Sequence, residues 1–294
     1  MKTALNILLG IALLVVALSF ILVYANTHPP RYPLHIPPSR FQADYEDLSF
    51  TTDDGIVLRG WLVKPAGSGG PRPAVIICHG LGANKSDFTD LAVSLSRRGY
   101  LVLTFDFRAH GESGGGSSSL GLREQMDVAA ALACLRSRTD ADPQRIGIYG
   151  FSLGGATALL AAARSGGFRA VVSDSAFTSL RDQARTAITG FYHLPAFPFL
   201  PLTTLGYRLW FFASVDDVDP ERAIVNLSPV PVLIIAGEGD DLIPLENGKR
   251  LYAAAREPKE LWIVPNAAHG GTMAAEGTEY ERTVGAFFDR ALKK

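Results

Sequence analysis

Cysteine is nearly absent from this chain. Cys78 and Cys134 are the only two in 294 residues, too few for a disulfide framework. One ends an apolar run and the other lies in an Ala/Leu-rich stretch, so both read as small buried hydrophobes; a single bridge between them stays open. An excess of charge of either sign is missing too, with 28 Lys and Arg against 29 Asp and Glu. That balance provides no basic footprint for nucleic acid, and no nucleic-acid partner is expected. No Cys/His cluster has the spacing of a zinc site, and nothing implies a metal or a cofactor. Internal repeats are absent, and low complexity is confined to Gly114–Ser119 (GGGSSS).

What is present begins with one long apolar segment. Ala4 to Ala25 (ALNILLGIALLVVALSFILVYA) carries no charge, and Lys2 precedes it. About 20 apolar residues span a bilayer core as a helix. A cleavable signal has a shorter apolar stretch, about 7–15 residues. A transmembrane signal-anchor over residues 1–26 is therefore expected, with a cleaved signal ending at Val23-Tyr24-Ala25 as the alternative. A buried core helix is disfavoured, because no polar face marks a globular edge. Lys2 and the amino terminus lie on one side and Arg31 and Arg40 on the other, so the positive-inside bias is nearly balanced. An extracytoplasmic location for the rest of the chain is favoured because a cleaved signal would put it there as well. Residues 27–44 read as a linker. Five prolines between Asn26 and Ser39 favour either a stiff extended spacer or an ordered arm packed on the domain.

Residues 45–294 suit one α/β domain. Tyr45–Thr52 and Ile56–Lys64 flank Asp53-Asp54-Gly55 and read as a hairpin. After a Gly- and Pro-rich loop, Ala66–Arg72, strands and helices alternate. Pro73–Cys78, Tyr100–Phe105, Arg145–Tyr149, Phe168–Ser173, Pro231–Ala236 and Glu260–Val264 read as strands. Phe88–Arg98, Leu120–Arg138, Leu153–Arg164, Glu246–Arg256 and Tyr280–Lys293 read as helices. Short continuous apolar runs such as PAVIIC suit strands buried on both faces. The alternation implies a mostly parallel, doubly wound sheet. Phe177–Leu227 breaks the pattern. It holds Phe191, Tyr192, Phe197, Phe199, Tyr207, Trp210, Phe211 and Phe212, and reads as a helical lid whose aromatics wall an apolar pocket. The alternative is that they only pack the lid.

Gly-x-Ser-x-Gly occurs twice, around Ser113 and around Ser152. A nucleophile elbow needs a strand before the serine and a helix after it. Ser152 has RIGIYG before it and LGGATALLAAAR after it; Ser113 runs into a Gly/Ser-rich loop. Ser152 is the expected nucleophile. A serine hydroxyl needs a base, and in this strand–helix setting the order is serine, acid, histidine. Of the downstream histidines, His193 falls in the lid and reads as a surface residue, whereas His269 follows the last strand among small residues. The acid should follow the preceding strand, as Asp240 or Asp241, with Asp174 a distant third. His79-Gly80-Leu81-Gly82 at the end of PAVIIC frees backbone N–H groups. The amides of Leu81 and Leu153 are the expected oxyanion-hole donors. His79 itself reads as structural.

Taken in order, His79-Gly80, Asp106 to Ser113 (DFRAHGES), GFSLGG, GEGDDLIP and AHGG resemble the α/β-hydrolase superfamily. The nearest likeness is to bacterial hydrolases of the monoglyceride-lipase and serine-aminopeptidase type. The resemblance spans about Tyr45 to Leu292. It implies an eight-stranded α/β-hydrolase fold, and its Asp-x-x-Val/Ile-Pro pattern selects Asp240. It also implies that Asp106, Arg108, His110 and Ser113 are scaffold, in a segment where Ala109 stands in place of glycine. The function implied is hydrolysis of carboxylic esters or thioesters of a small or lipidic acyl group. A peptidase or amidase of the same fold and a non-catalytic membrane-anchored binding protein are the alternatives.

Overall fold

A computed structural model describes residues 1–67 and 70–293. Of the loop expected over Ala66–Arg72, residues 68 and 69 lie outside that description. The chain opens on one helix, α1 (Lys2–Thr27), which is long and apolar enough to cross a membrane. The proline-rich stretch after it is an arm laid on the domain, not a free spacer. The Arg31 guanidinium donates to the carbonyls of His110, Gly111, Ser113 and Gly115 at 2.5–3.1 Å. Thr89 Oγ1 donates to the Ile36 carbonyl at 2.6 Å, and the His35 amide donates to Ser86 Oγ at 3.2 Å. Prolines donate no backbone hydrogen bond, so such an arm is held through its carbonyls and through the side chains and amides of its few other residues.

The Asp-Gly turn joins β1 (Tyr45–Thr51) and β2 (Val57–Val63) as an antiparallel pair. From there the chain alternates: β3 (Arg72–Cys78), α2 (Thr89–Arg97), β4 (Leu101–Phe105), α3 (Glu124–Arg136), β5 (Ala141–Phe151), α4 (Leu153–Ser165) and β6 (Ala170–Asp174). The eight-stranded sheet has the order β1-β2-β4-β3-β5-β6, then β7 (Val232–Gly237) and β8 (Lys259–Val264). Every pairing from β4 onward is parallel. Strands covered on both faces read as unbroken apolar runs; accordingly all of β4, β6 and β7 is buried. One core lies on each side of the sheet. The first packs Ile76, Leu103, Ile148 and Val171 against α3 and α4. The second packs Ile77, Val102, Tyr149 and Val172 against α2 and the last helix.

One boundary differs from expectation for a local reason. The helix expected from Leu120 starts at Glu124. The Glu124 carboxylate accepts from Ser118 Oγ, Ser119 N and Oγ, and Gly121 N at 2.7–2.9 Å. It thereby folds residues 118–121 into a loop around itself. Cys134 is only half-buried, and both cysteines are free.

The insertion between β6 and β7 is helical: α5 (Leu180–Thr186), a wider turn over Ala187–Phe191, α6 (Ala196–Phe211) and the short α7 (Pro220–Ile224). After β7 come α8 (Glu246–Ala254), and after β8 α9 (Thr272–Glu276) and α10 (Thr278–Leu292). The carboxyl ends of the parallel strands, β3 to β8, point to the side carrying the insertion. In open α/β sheets that is where ligands bind.

Candidate active site

Ser152 occupies the turn between β5 and α4 with φ 53° and ψ −116°. A non-glycine residue there is strained, and the strain is sustained by close packing. A Cβ on Gly150 would lie 2.1 Å from the Gly154 carbonyl oxygen, and one on Gly154 would lie 2.2 Å from that of Cys78. Only glycine permits α4 to start this close to the sheet. Ser113, in the second Gly-x-Ser-x-Gly, is buried. Its hydroxyl donates to the Asp106 carbonyl at 2.5 Å and accepts from the Arg59 amide at 2.9 Å. That serine supports a loop, and among the described residues no base hydrogen-bonds its hydroxyl.

Three of the expected residues meet in space. His269 Nε2 lies 3.0 Å from Ser152 Oγ, and His269 Nδ1 lies 2.8 Å from Asp240 Oδ2. Asp240 is buried, and its other oxygen accepts the amides of Leu242 and Ile243 at 3.0 and 2.7 Å. The Asp240 and His269 loops are stitched together, since Gly239 N donates to Ala267 O at 3.0 Å and Glu238 N to Val264 O at 2.9 Å. Asp241 is exposed and His193 is exposed. Asp174 is engaged elsewhere. Its carboxylate takes the hydroxyls of Tyr280, Thr272 and Ser175 at 2.6–2.9 Å. Burial pushes that carboxyl above the usual range, while the three hydroxyls pull it back. Through Thr272 at the start of α9 it steadies the His269 loop, a support the sequence did not reveal.

Leu81 and Leu153 line the same cavity as Ser152 and His269. Among the described residues neither amide donates to another group of the chain. The Leu153 amide is in the first turn of α4, where N–H groups lack helical partners. His79 Nε2 accepts the Phe107 amide at 3.0 Å, and its Nδ1–H donates to the Gly80 carbonyl at 2.7 Å. This tie fixes the Leu81 turn to the loop after β4. That loop is braced by buried ion pairs, Lys85 with Asp106 and Arg108 with Asp127, both at 2.7 Å.

His79 and its neighbour His110, ring centroids 5.0 Å apart, are both held below the ordinary histidine value. Burial is the main cause for each. Folding thus disfavours their protonation relative to the unfolded chain. The stability this supplies is complete above about pH 6.5, the unfolded value, and is lost as pH falls below it. Thermal melts at pH 7 and pH 5 should show a drop in Tm, and the drop should be smaller in His110→Asn, whose amide can still donate to Arg108 O. An equal drop in both proteins would refute this assignment.

The cavity, about 400 Å³, falls in the range of small-molecule sites. It is walled by Phe151, Phe177, Leu180, Ile188 and Ile243. The lid's aromatics divide in a way their number did not foretell. Phe191, Tyr192 and Tyr207 line the cavity. Phe199 and Phe211 are buried in the packing, while Phe197, Trp210 and Phe212 face outward. A helix carrying aromatics on every side cannot turn them all to one pocket. The sequence also missed Leu22, Val23, Asn26 and Thr27 of α1, which form part of the cavity wall. The only hint was two polar residues, Asn26 and Thr27, closing an apolar run.

The model of the α/β-hydrolase fold family matches residues 73–201. An uncharacterized protein of Mycobacterium tuberculosis is 38% identical over 79% of this chain and 74% of its own. An esterase of Pyrococcus furiosus superposes with a TM-score of 0.74 at 26% identity, over 91% of this chain and 99% of that one. An acylaminoacyl peptidase of Pyrococcus horikoshii shares the fold, with a TM-score of 0.65 at 22% identity over 86% and 42% of the two chains. The chain belongs to the α/β-hydrolase superfamily. The fold and the esterase neighbour support a hydrolase.

Proposed function

We propose that the protein is a membrane-anchored serine hydrolase that cleaves carboxylic esters or thioesters with an apolar acyl part. The observation carrying this reading is the 3.0 and 2.8 Å pair of contacts linking Ser152, His269 and Asp240. In the proposed chemistry Ser152 Oγ adds to the acyl carbonyl as its proton passes to His269 Nε2. The buried Asp240 carboxylate keeps the imidazole in the tautomer that can accept it and stabilises the resulting charge. The Leu81 and Leu153 amides donate to the developing oxyanion; one such donor contributes about 10²–10³ in turnover. The imidazolium then protonates the leaving alcohol or thiol, and a water repeats the sequence on the acyl-enzyme. Residues 1–26 serve as the anchor, 27–44 as the arm that joins it to the catalytic domain, and the domain faces the extracytoplasmic side.

Ester is favoured over peptide because, among the described residues lining the cavity, no Asp or Glu awaits a free α-amine. The test compares octanoyl and acetyl 4-nitrophenyl esters with an aminoacyl 4-nitroanilide, using the full chain in detergent. The octanoyl ester should turn over fastest. Faster hydrolysis of the anilide would overturn the ester reading in favour of a peptidase.

A further inference from the structure

The helix α1 changes character along its length. From Lys2 to Ile21 it rises about 30 Å, at about 1.5 Å per residue, which matches a bilayer's hydrocarbon core. Over that stretch Leu5, Leu8, Leu13 and Leu14 are each more than 60% exposed. One face of the helix packs on the protein from Val15 onward, with Val15 and Leu18 against the lid cluster and Ser19 buried, and from Leu22 that packing reaches the cavity. Leu22 is buried with Ile188, Phe199 and Leu200 of the lid. A Cβ on Gly206 of α6 would lie 3.2 Å from Val23 and 3.7 Å from Phe20, so α6 crosses α1 closely there. Asn26 Nδ2 donates to the Tyr192 hydroxyl at 2.9 Å, and Ser118 N donates to the Thr27 carbonyl at 2.7 Å. A tether needs none of these contacts. They make the end of α1 a wall of the cavity that holds Ser152.

The lid beside this wall turns apolar groups outward. Phe197, Leu205, Leu209, Trp210 and Phe212 are exposed on α6 or at its end. Trp210 lies edge-on to Tyr24 of α1 and to His28 just after it, with centroids 6.1 and 5.4 Å away, and those two rings stack at 3.9 Å. Tyr24 is one turn past Ile21. Such a cluster, at the level where the hydrocarbon core would end, resembles the aromatic belts of membrane interfaces. Within the cavity, the described lining residues include no Lys, Arg, Asp or Glu, so a charged group buried there would be unpaired.

We propose that α6 is seated in the membrane interface and that the seam where α1 packs on α6 and on the turn after α5 parts as a lateral portal. Through it a neutral, bilayer-resident acyl ester enters from the lipid, its chain lying along Leu22, Val23 and Asn26. The anchor helix is thus part of the acyl-binding site. This rests on the Ser152 chemistry proposed above.

The test uses the full chain in phosphatidylcholine nanodiscs. A dodecyl fluorophosphonate with a diazirine at its terminal carbon is reacted, illuminated and mapped by peptide mass spectrometry. Ser152 should carry the phosphonate, and the photo-crosslink should fall within residues 20–28. In parallel, Asn26→Trp should lower the ratio of kcat/KM for dodecanoyl over acetyl esters by about tenfold, as losing roughly two buried methylenes would. Leu14→Trp, on the same helix but away from the cavity, should leave the ratio unchanged. Labelled Ser152 with crosslinks confined to α5, α6 or the cavity floor, or a ratio indifferent to Asn26→Trp, would reduce α1 to a tether. Failure of Ser152 to label in the wild type would overturn the serine chemistry itself. The crosslink is read on the unmodified chain, so a poorly folded variant does not remove the test.

Discussion

Replacing Ser152 by alanine should lower ester turnover by about 10⁴–10⁶-fold while leaving the protein folded. The hydroxyl is the only atom lost. In the native site it touches His269 Nε2 at 3.0 Å, and no core contact depends on it. The strained backbone, with φ 53°, is set by the approach of α4 to the sheet and survives the change. What remains without the nucleophile is polarisation by the amides of Leu81 and Leu153 acting on water, which explains why a residual rate should be measurable. The measurement is kcat on a 4-nitrophenyl ester together with fluorophosphonate labelling and a thermal melt. Turnover within tenfold of wild type, with Tm unchanged, would remove Ser152 from the chemistry.

Asp240→Asn should be nearly as severe, with a loss of about 10⁴-fold in kcat. The Leu242 and Ile243 amides both donate to Oδ1, so in the variant the amide oxygen takes that position and the NH₂ turns to His269. A donor facing Nδ1 forces the imidazole proton onto Nε2, where it confronts Ser152 and cannot accept the hydroxyl proton. Two comparisons make the result specific. Asp241→Asn, on an exposed side chain, should change kcat by less than about twofold, within the ordinary range of surface substitutions. Asp174→Asn should loosen the contacts with Tyr280 and Thr272 and therefore act first on stability. If Asp174→Asn were the crippling change and Asp240→Asn the mild one, the acid would have to be reassigned to Asp174.

The parts legible in the sequence share one property: their signal is local. PAVIIC and PVLIIA are strands because a two-face-buried strand must be apolar throughout, and both are strands here. Ser152 stands apart from Ser113 because only its flanks can form a strand and a helix, and the two serines do differ in that way. The histidine and acid candidates came from chain order combined with the strand pattern. The choice between Asp240 and Asp241 was not local. Both occupy the same loop, and only the resemblance to a family separated them. In space they differ plainly, since one is buried against His269 and the other is exposed.

By itself the sequence determined the sheet-and-helix alternation, the turn that lifts Ser152, and an N-terminal helix able to cross a bilayer. The tertiary structure decided what each face meets. Hydrophobic periodicity reports that a side chain is buried, not against which partner, and a helix apolar on all sides reports no face at all. This is why the lid's aromatics could not be sorted in advance into wall, packing and outward-facing groups. It is also why the last turns of α1 could not be recognised as lining the cavity. The proline-rich arm was equally open, because its anchorage lies in Arg31 reaching carbonyls about 80 residues away. Pairings at that separation leave no period in the sequence; they exist only once the chain has closed.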